Sequence, residues 1–210
     1  MRGSRNVFIN CPFDADYQPL FRAVVFALLD FGFVPRCALE SDDGSEVRID
    51  KIRRIVRESP YAIHDISRTE LDEGTQLPRF NMPLELGIFL GAKWFGSAEH
   101  RLKCCLILDR DRYRYQVFCS DLAGQDIRAH GGSDREVIRL VRNALRTWCP
   151  EVDLPGAAVT CARYLRFDES LMYLADRVGL DGNDLLFGDF TALVSEWLRL
   201  NTPRPLALAS

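Results

Sequence analysis

Apolar and polar positions along the chain alternate between short runs and long periodic stretches. Asn6-Val7-Phe8-Ile9-Asn10 is a short apolar run closed by a polar residue, which predicts a first strand. Asp16-Tyr17-Gln18-Pro19 then opens a helix, with Asp16 as its cap and Pro19 in its first turn. Leu20, Phe21, Val24, Val25, Ala27, Leu28 and Leu29 give that helix a broad apolar face, and Gly32 ends it. Further strands are expected over 33–39, 61–66, 102–108 and 115–119, and further helices over 47–58 and from Asn81 to about Trp94. After a loop over 124–133, Asp134–Trp148 carries Val137, Leu140, Val141, Ala144, Leu145 and Trp148 on one side, as a one-faced helix does. Pro150 and Pro155 mark a boundary, beyond which two or three helices and no strand are expected.

Strands that alternate with helices imply parallel pairing, because each return to the same sheet edge needs a crossover. The expected fold is therefore α/β: a flavodoxin-like (Rossmann-like) parallel sheet of four to five strands with flanking helices. It would occupy residues 1–150, with a small helical C-terminal segment over 151–210. No GxGxxG follows the first strand and no GxxxxGK[ST] occurs, so the usual dinucleotide and P-loop signatures are absent.

The net charge of −3, with 27% charged and 47% hydrophobic residues, describes an ordinary globular chain and makes nucleic acid an unlikely partner. The seven cysteines are odd in number and form no CxxC pair. That pattern predicts free thiols, no metal site and a cytoplasmic setting. No apolar run reaches the about eighteen residues a spanning helix needs, so no membrane is expected.

In a parallel sheet the loops after the strands converge on one edge, where such folds bind ligands. They bring Asn10, Cys11, Phe13 and Asp14 together with Glu40, Asp42 and Ser45, and with Asp65, Ser67 and Arg68. The helix that starts at Asn81 leaves from the same edge. It is apolar nearly all round, yet carries Glu85 within what reads as its first turn. A carboxylate there is favoured in its ionised form by the helix dipole. It either caps its own helix or stabilises the positive charge that develops on a sugar when an N-glycosidic bond breaks. Asp65 binds ribose hydroxyls or pairs with Arg68 in a turn. His64 is expected to fill the sheet interior, and Cys11 to be a packed thiol. The basic residues Arg48, Lys51, Arg53, Arg54 and Arg57 are expected on a solvated helix face. Leu185, Phe187, Phe190, Leu193 and Trp197 form one helical stripe, either docked on the main domain or exposed to a partner.

The segments VFINCPFD, YAIHDIS and NMPLELGIFLGAK resemble the superfamily that joins TIR domains to nucleoside 2-deoxyribosyltransferases, over about residues 6–148. In that superfamily the first strand, the third strand and a glutamate on the next helix frame a nucleotide pocket, and the glutamate maps onto Glu85 with Leu86 and Gly87 after it. Asp72-Glu73-Gly74-Thr75 is similar to the D-x-G-T stretch of the transferases but lies further upstream, and Asn81, Met82 and Pro83 stand where TIR enzymes have serine and a tryptophan–cysteine pair. The resemblance implies N-glycosidic chemistry with Glu85 as the catalytic group. It implies Asn10, Cys11, Phe13, Asp65, Ser67 and Asn81 as substrate-binding residues. NAD or a nucleotide would be the substrate rather than a cofactor. It further implies an antiphage-defence effector that works as a homo-oligomer or with a partner protein. The alternatives are a nucleotide-sensing module that does not cleave and a TIR-like assembly scaffold.

Overall fold

A computed structural model describes residues 4–71, 74 and 76–201. Five parallel strands, β1 (Asn6–Asn10), β2 (Val34–Arg36), β3 (Tyr61–Asp65), β4 (Cys104–Asp109) and β5 (Arg128–Ala129), stand in the order β2-β1-β3-β4-β5. This is the flavodoxin-like order. Helices α1 (Gln18–Asp30) and α5 (Asp134–Trp148) cover one face of the sheet, and α2 (Arg48–Glu58) and α3 (Asn81–Phe95) cover the other. A single turn, α4 (Tyr115–Phe118), stands where a full helix would complete the second layer.

Strand periodicity sorts the core. In β1, Val7 and Ile9 point to the α1/α5 side, while Phe8 meets Ile52, Ile55, Val56 and Phe89 of α2 and α3. Helices α6 (Ala157–Arg177) and α7 (Phe187–Asn201) join the first of these clusters: Phe26 of α1 lies 5.4 Å from the Phe167 ring and 5.9 Å from Trp197. The C-terminal segment thus shares the core of the α/β domain. Its stripe docks there, with Phe190 and Trp197 buried and Leu185, Phe187 and Leu193 packed against them. No helix among the described residues is long and apolar enough to cross a membrane.

Three expected elements change. The second strand shortens to Val34–Arg36, because Arg36 grips Glu40 at 2.5 and 2.7 Å and Cys37 accepts from the Glu40 amide, closing a turn. Residues 115–119 form helix instead of strand: Tyr115 and Phe118, three apart, face the core while Val117 is 91% exposed. The fifth strand lies instead at Arg128–Ala129, inside the expected loop. Asp16 does not cap α1; Asp14 Oδ1 accepts from the Tyr17 amide.

Lys51 and Lys103 are cations drawn out of the solvent. Lys51 Nζ donates to the Ser41 carbonyl at 2.5 Å, so it leaves the solvated face expected of α2. Lys103, fully buried, donates to the Val56 carbonyl at 2.6 Å and the Ser59 carbonyl at 2.5 Å, and sits over the Phe89 ring. It thereby adds a donor to two carbonyls at the end of α2, the Val56 carbonyl also accepting from the Ser59 amide. Lys103→Met is expected to cost about 2 kcal/mol by removing the buried amine from the Ser59 carbonyl and leaving the Val56 carbonyl with the Ser59 amide. Burial pulls the Lys103 amine down to about 8. The unfolded chain therefore holds this proton to higher pH, and the wild type gains stability relative to Lys103→Met as pH rises from 8 towards 10. Paired urea titrations at those two pH values measure the difference.

Candidate active site

Strands β1 and β3 are neighbours, but α1 and α3 leave them to opposite faces of the sheet. This is the topological switch point of the sheet, where doubly wound folds use a crevice to bind ligands. Asn10 closes β1 beside His64 of β3, and its Nδ2 donates to His64 Nδ1 at 3.0 Å and to the Met82 carbonyl at 2.8 Å. This second bond pins the first turn of α3 to the end of β1. Burial pushes His64 down to about 3, so its ring is neutral and structural, as expected of an interior histidine.

Glu85 lies in the second turn of α3, since the helix begins at Asn81 and holds no acid in its first turn. It therefore caps nothing, and the dipole at the helix end acts on it weakly. Only 5% of the residue is exposed. Arg48 Nη2, at the start of α2, stands 4.0 Å from Glu85 Oε1. Burial pushes the carboxyl up to about 7, and Arg48 pulls it partly back. The expected dipole bias toward the ionised form is outweighed by burial: near neutral pH Glu85 divides between both protonation states.

Asp65, at the end of β3, is 1% exposed and does not pair with Arg68, which reaches Asp14 and Asp16 instead. Its Oδ1 accepts from the Ser67 amide at 2.8 Å and its Oδ2 from the Tyr17 hydroxyl at 2.6 Å. His130 Nε2 approaches the same Oδ2 to 3.2 Å, off the line of a good hydrogen bond. His130 Nδ1 accepts from the Gly132 amide at 2.9 Å, which leaves the proton of a neutral ring on Nε2, facing Asp65. Both Asp65 oxygens are thus engaged by the protein, so Asp65 supports the crevice floor. Asp109 and Arg114 brace the adjoining loop: Arg114 Nε and Nη2 reach Asp109 Oδ1 at 2.9 and 2.7 Å, Nη1 reaches Thr69 Oγ1 at 2.9 Å, and Nη2 also donates to the Ser67 carbonyl.

Of the residues expected to bind substrate, the structure gathers Asn10, Cys11, Asp65 and Ser67 at the crevice. The Cys11 thiol is buried and pushed well up, first by burial and then by the charge of Asp65, with Glu85 also contributing. It is a packed thiol and no nucleophile. Asn81 is exposed at the start of α3. Phe13 turns away: it meets Phe21 edge-on at 5.3 Å and lines a small hollow with Leu185 and Phe187, so it is not placed to hold a base at Glu85. The D-x-G-T stretch at Asp72-Glu73-Gly74-Thr75 lies outside the described residues except for Gly74. Sequence reasoning missed His130, Asp109 and Arg114 as parts of this edge, and read Tyr17 there as a base-stacking or core aromatic where the structure makes it a donor to Asp65. His130-Gly131-Gly132-Ser133 carried a usable signal, because consecutive glycines permit the positive φ values of 58° and 75° that bring the Gly132 amide back to the ring.

A cavity of about 640 Å³ lies elsewhere, between the β4–β5 edge and α5, lined by Leu106, Arg128, Arg139 and Trp148 among others. It touches none of the expected site residues, and convergent chemistry favours the crevice over volume alone. Among the described residues, no cluster of three or more His, Cys, Asp or Glu side chains has the arrangement of a metal site. Comparisons of the chain with family models, with curated proteins and with solved structures return no match.

Proposed function

We propose that this protein is an N-glycosidase that cleaves the bond between sugar and base in NAD or a related nucleotide, with Glu85 as the carboxylate at the anomeric carbon. One observation carries the proposal. Glu85 is buried at the switch point of a doubly wound sheet, shifted to about 7, and, among the described residues, paired with one cation, Arg48 at 4.0 Å, whose side chain is 56% exposed. Folding gains little by holding an acid this way, and such arrangements concentrate at functional sites.

In the proposed reaction the C–N bond breaks and its electron pair leaves with the base, which in NAD departs as neutral nicotinamide. The sugar left behind is an oxocarbenium ion, and ionised Glu85 stabilises or captures it. Water then bonds to the anomeric carbon and loses a proton. Arg48, at the mouth of the crevice, is free to leave Glu85 for a substrate phosphate. The work falls to the ionised form of Glu85, so kcat/KM is expected to rise about tenfold per pH unit up to 7 and to level off above it. A rate that fell across the same range would assign Glu85 as a general acid instead.

The test is chromatographic measurement of nicotinamide or free-base release at high protein concentration, alongside nucleotide binding. Release by the wild type and not by Glu85→Gln supports the glycosidase. Binding without release moves the assignment to a nucleotide-sensing module, a reading favoured by the internal engagement of Asp65. A role in antiphage defence rests on the family resemblance, and toxicity on expression that is lost in Glu85→Gln is its expected sign.

A further inference from the structure

Helix α3 carries a second feature that its glutamate does not explain. A helix on a protein surface ordinarily turns a charged face to water. The outer arc of α3 is formed by Pro83, Leu84, Gly87, Ile88, Gly91, Trp94 and Phe95, and none of them carries a charge. Leu84 is 57%, Trp94 54% and Phe95 87% exposed, and Phe80 just before the helix is 66% exposed. The two charged residues of α3 point elsewhere: Glu85 is buried, and Lys93 Nζ donates to the Lys103 carbonyl. A Cβ added at Gly87 or Gly91 would meet nothing within 4 Å, so neither glycine is explained by packing inside the chain.

We infer that this face of α3 is the two-fold interface of a homodimer. The pattern along the face is self-complementary. Leu84, Gly87, Ile88, Gly91 and Phe95 form one stripe at helical spacing, bulky at both ends with two glycines between them. An antiparallel copy crossing near the centre sets Leu84 against Phe95 of its twin and brings Gly91 beside Ile88 and Gly87. The glycines let the helix axes approach closely, and the bulky ends fill the flanking grooves. Phe80, Leu84, Trp94 and Phe95 together offer roughly 500 Å² per copy, about 1,000 Å² for the pair, which reaches the lower bound for a specific interface. With no charge on the face, association desolvates no ion. The α7 stripe offers no comparable surface, since it is docked on the domain's own core.

Sedimentation equilibrium of the whole chain, from about 1 to about 100 µM, tests the inference. The wild type is expected to convert from monomer to dimer across that range. Phe95→Glu and Gly91→Leu should each weaken the dimer at least tenfold, the first by charge and the second by bulk at the crossing. Tyr173→Glu, on an exposed part of α6, should leave it intact. Thermal melts of each variant confirm folding, which an 87% exposed Phe95 does not threaten. A wild type that stays monomeric overturns the inference, as does a dimer that survives both α3 variants or dissolves equally in Tyr173→Glu. None of these readings depends on turnover, so failure of the glycosidase proposal leaves the dimer standing or falling by itself.

Discussion

Glu85→Gln is expected to lower base release roughly 10³-fold while making the protein more stable above neutral pH. The two effects share one cause. Glu85 is held where burial disfavours its ionised form, which is the form that meets a sugar cation. A carboxyl raised from its unfolded value near 4.5 to about 7 gives its full stabilisation below the unfolded value and loses it as pH rises through 7. Glutamine keeps the shape and never ionises. The stability difference between Glu85→Gln and wild type should therefore open between pH 4.5 and 7 and stay open above it, at about 2 kcal/mol. Melting curves at pH 5 and pH 8, read beside the release assay, check both halves. Lost activity with no gain at pH 8 would mean that Arg48 compensates the charge more fully than its 4.0 Å distance implies.

Asp65→Ala is expected to cost about 3 kcal/mol, the largest loss at any single position of the crevice. The substitution leaves the Tyr17 hydroxyl and the Ser67 amide facing a buried space without an acceptor, and removes the carboxylate beside His130 Nε2. Tyr17→Phe removes only one donor and should cost about 1 kcal/mol. Because the two side chains share one bond, the double variant should cost clearly less than the sum. Urea unfolding of the four proteins in the cycle measures this, and strict additivity would show that Tyr17 and Asp65 are not coupled. The same cycle separates support of the crevice floor from a direct ribose contact, which would raise KM and leave stability unchanged.

Local pattern carried the architecture because local forces build these elements. The α5 helix was legible to both ends, with Ser133 Oγ accepting from the Glu136 amide at one end and Pro150 just beyond the other. Strands β1, β3 and β4 were legible because they are buried on both faces and so read as apolar runs. The strand β5 was not, since two residues make no pattern, and α4 was mistaken for strand because one helical turn and a short strand bury apolar residues at nearly the same spacing.

By itself the sequence determined the fold class, the convergence of Asn10, Asp65 and the Glu85 helix on one edge, and the burial of a lone carboxylate among apolar neighbours. Each follows from contacts short in sequence or from the alternation of strand and helix. Only the tertiary structure decided the chemical state of that edge. Tyr17 reaches Asp65 across 48 residues, and His130 arrives from the far side of the sheet. Arg48 comes from α2 to stand 4.0 Å from Glu85. The outer arc of α3 became visible only once the other side of the helix had been buried. Burial and long-range pairing set protonation and exposure, and both depend on which distant segments the fold brings together.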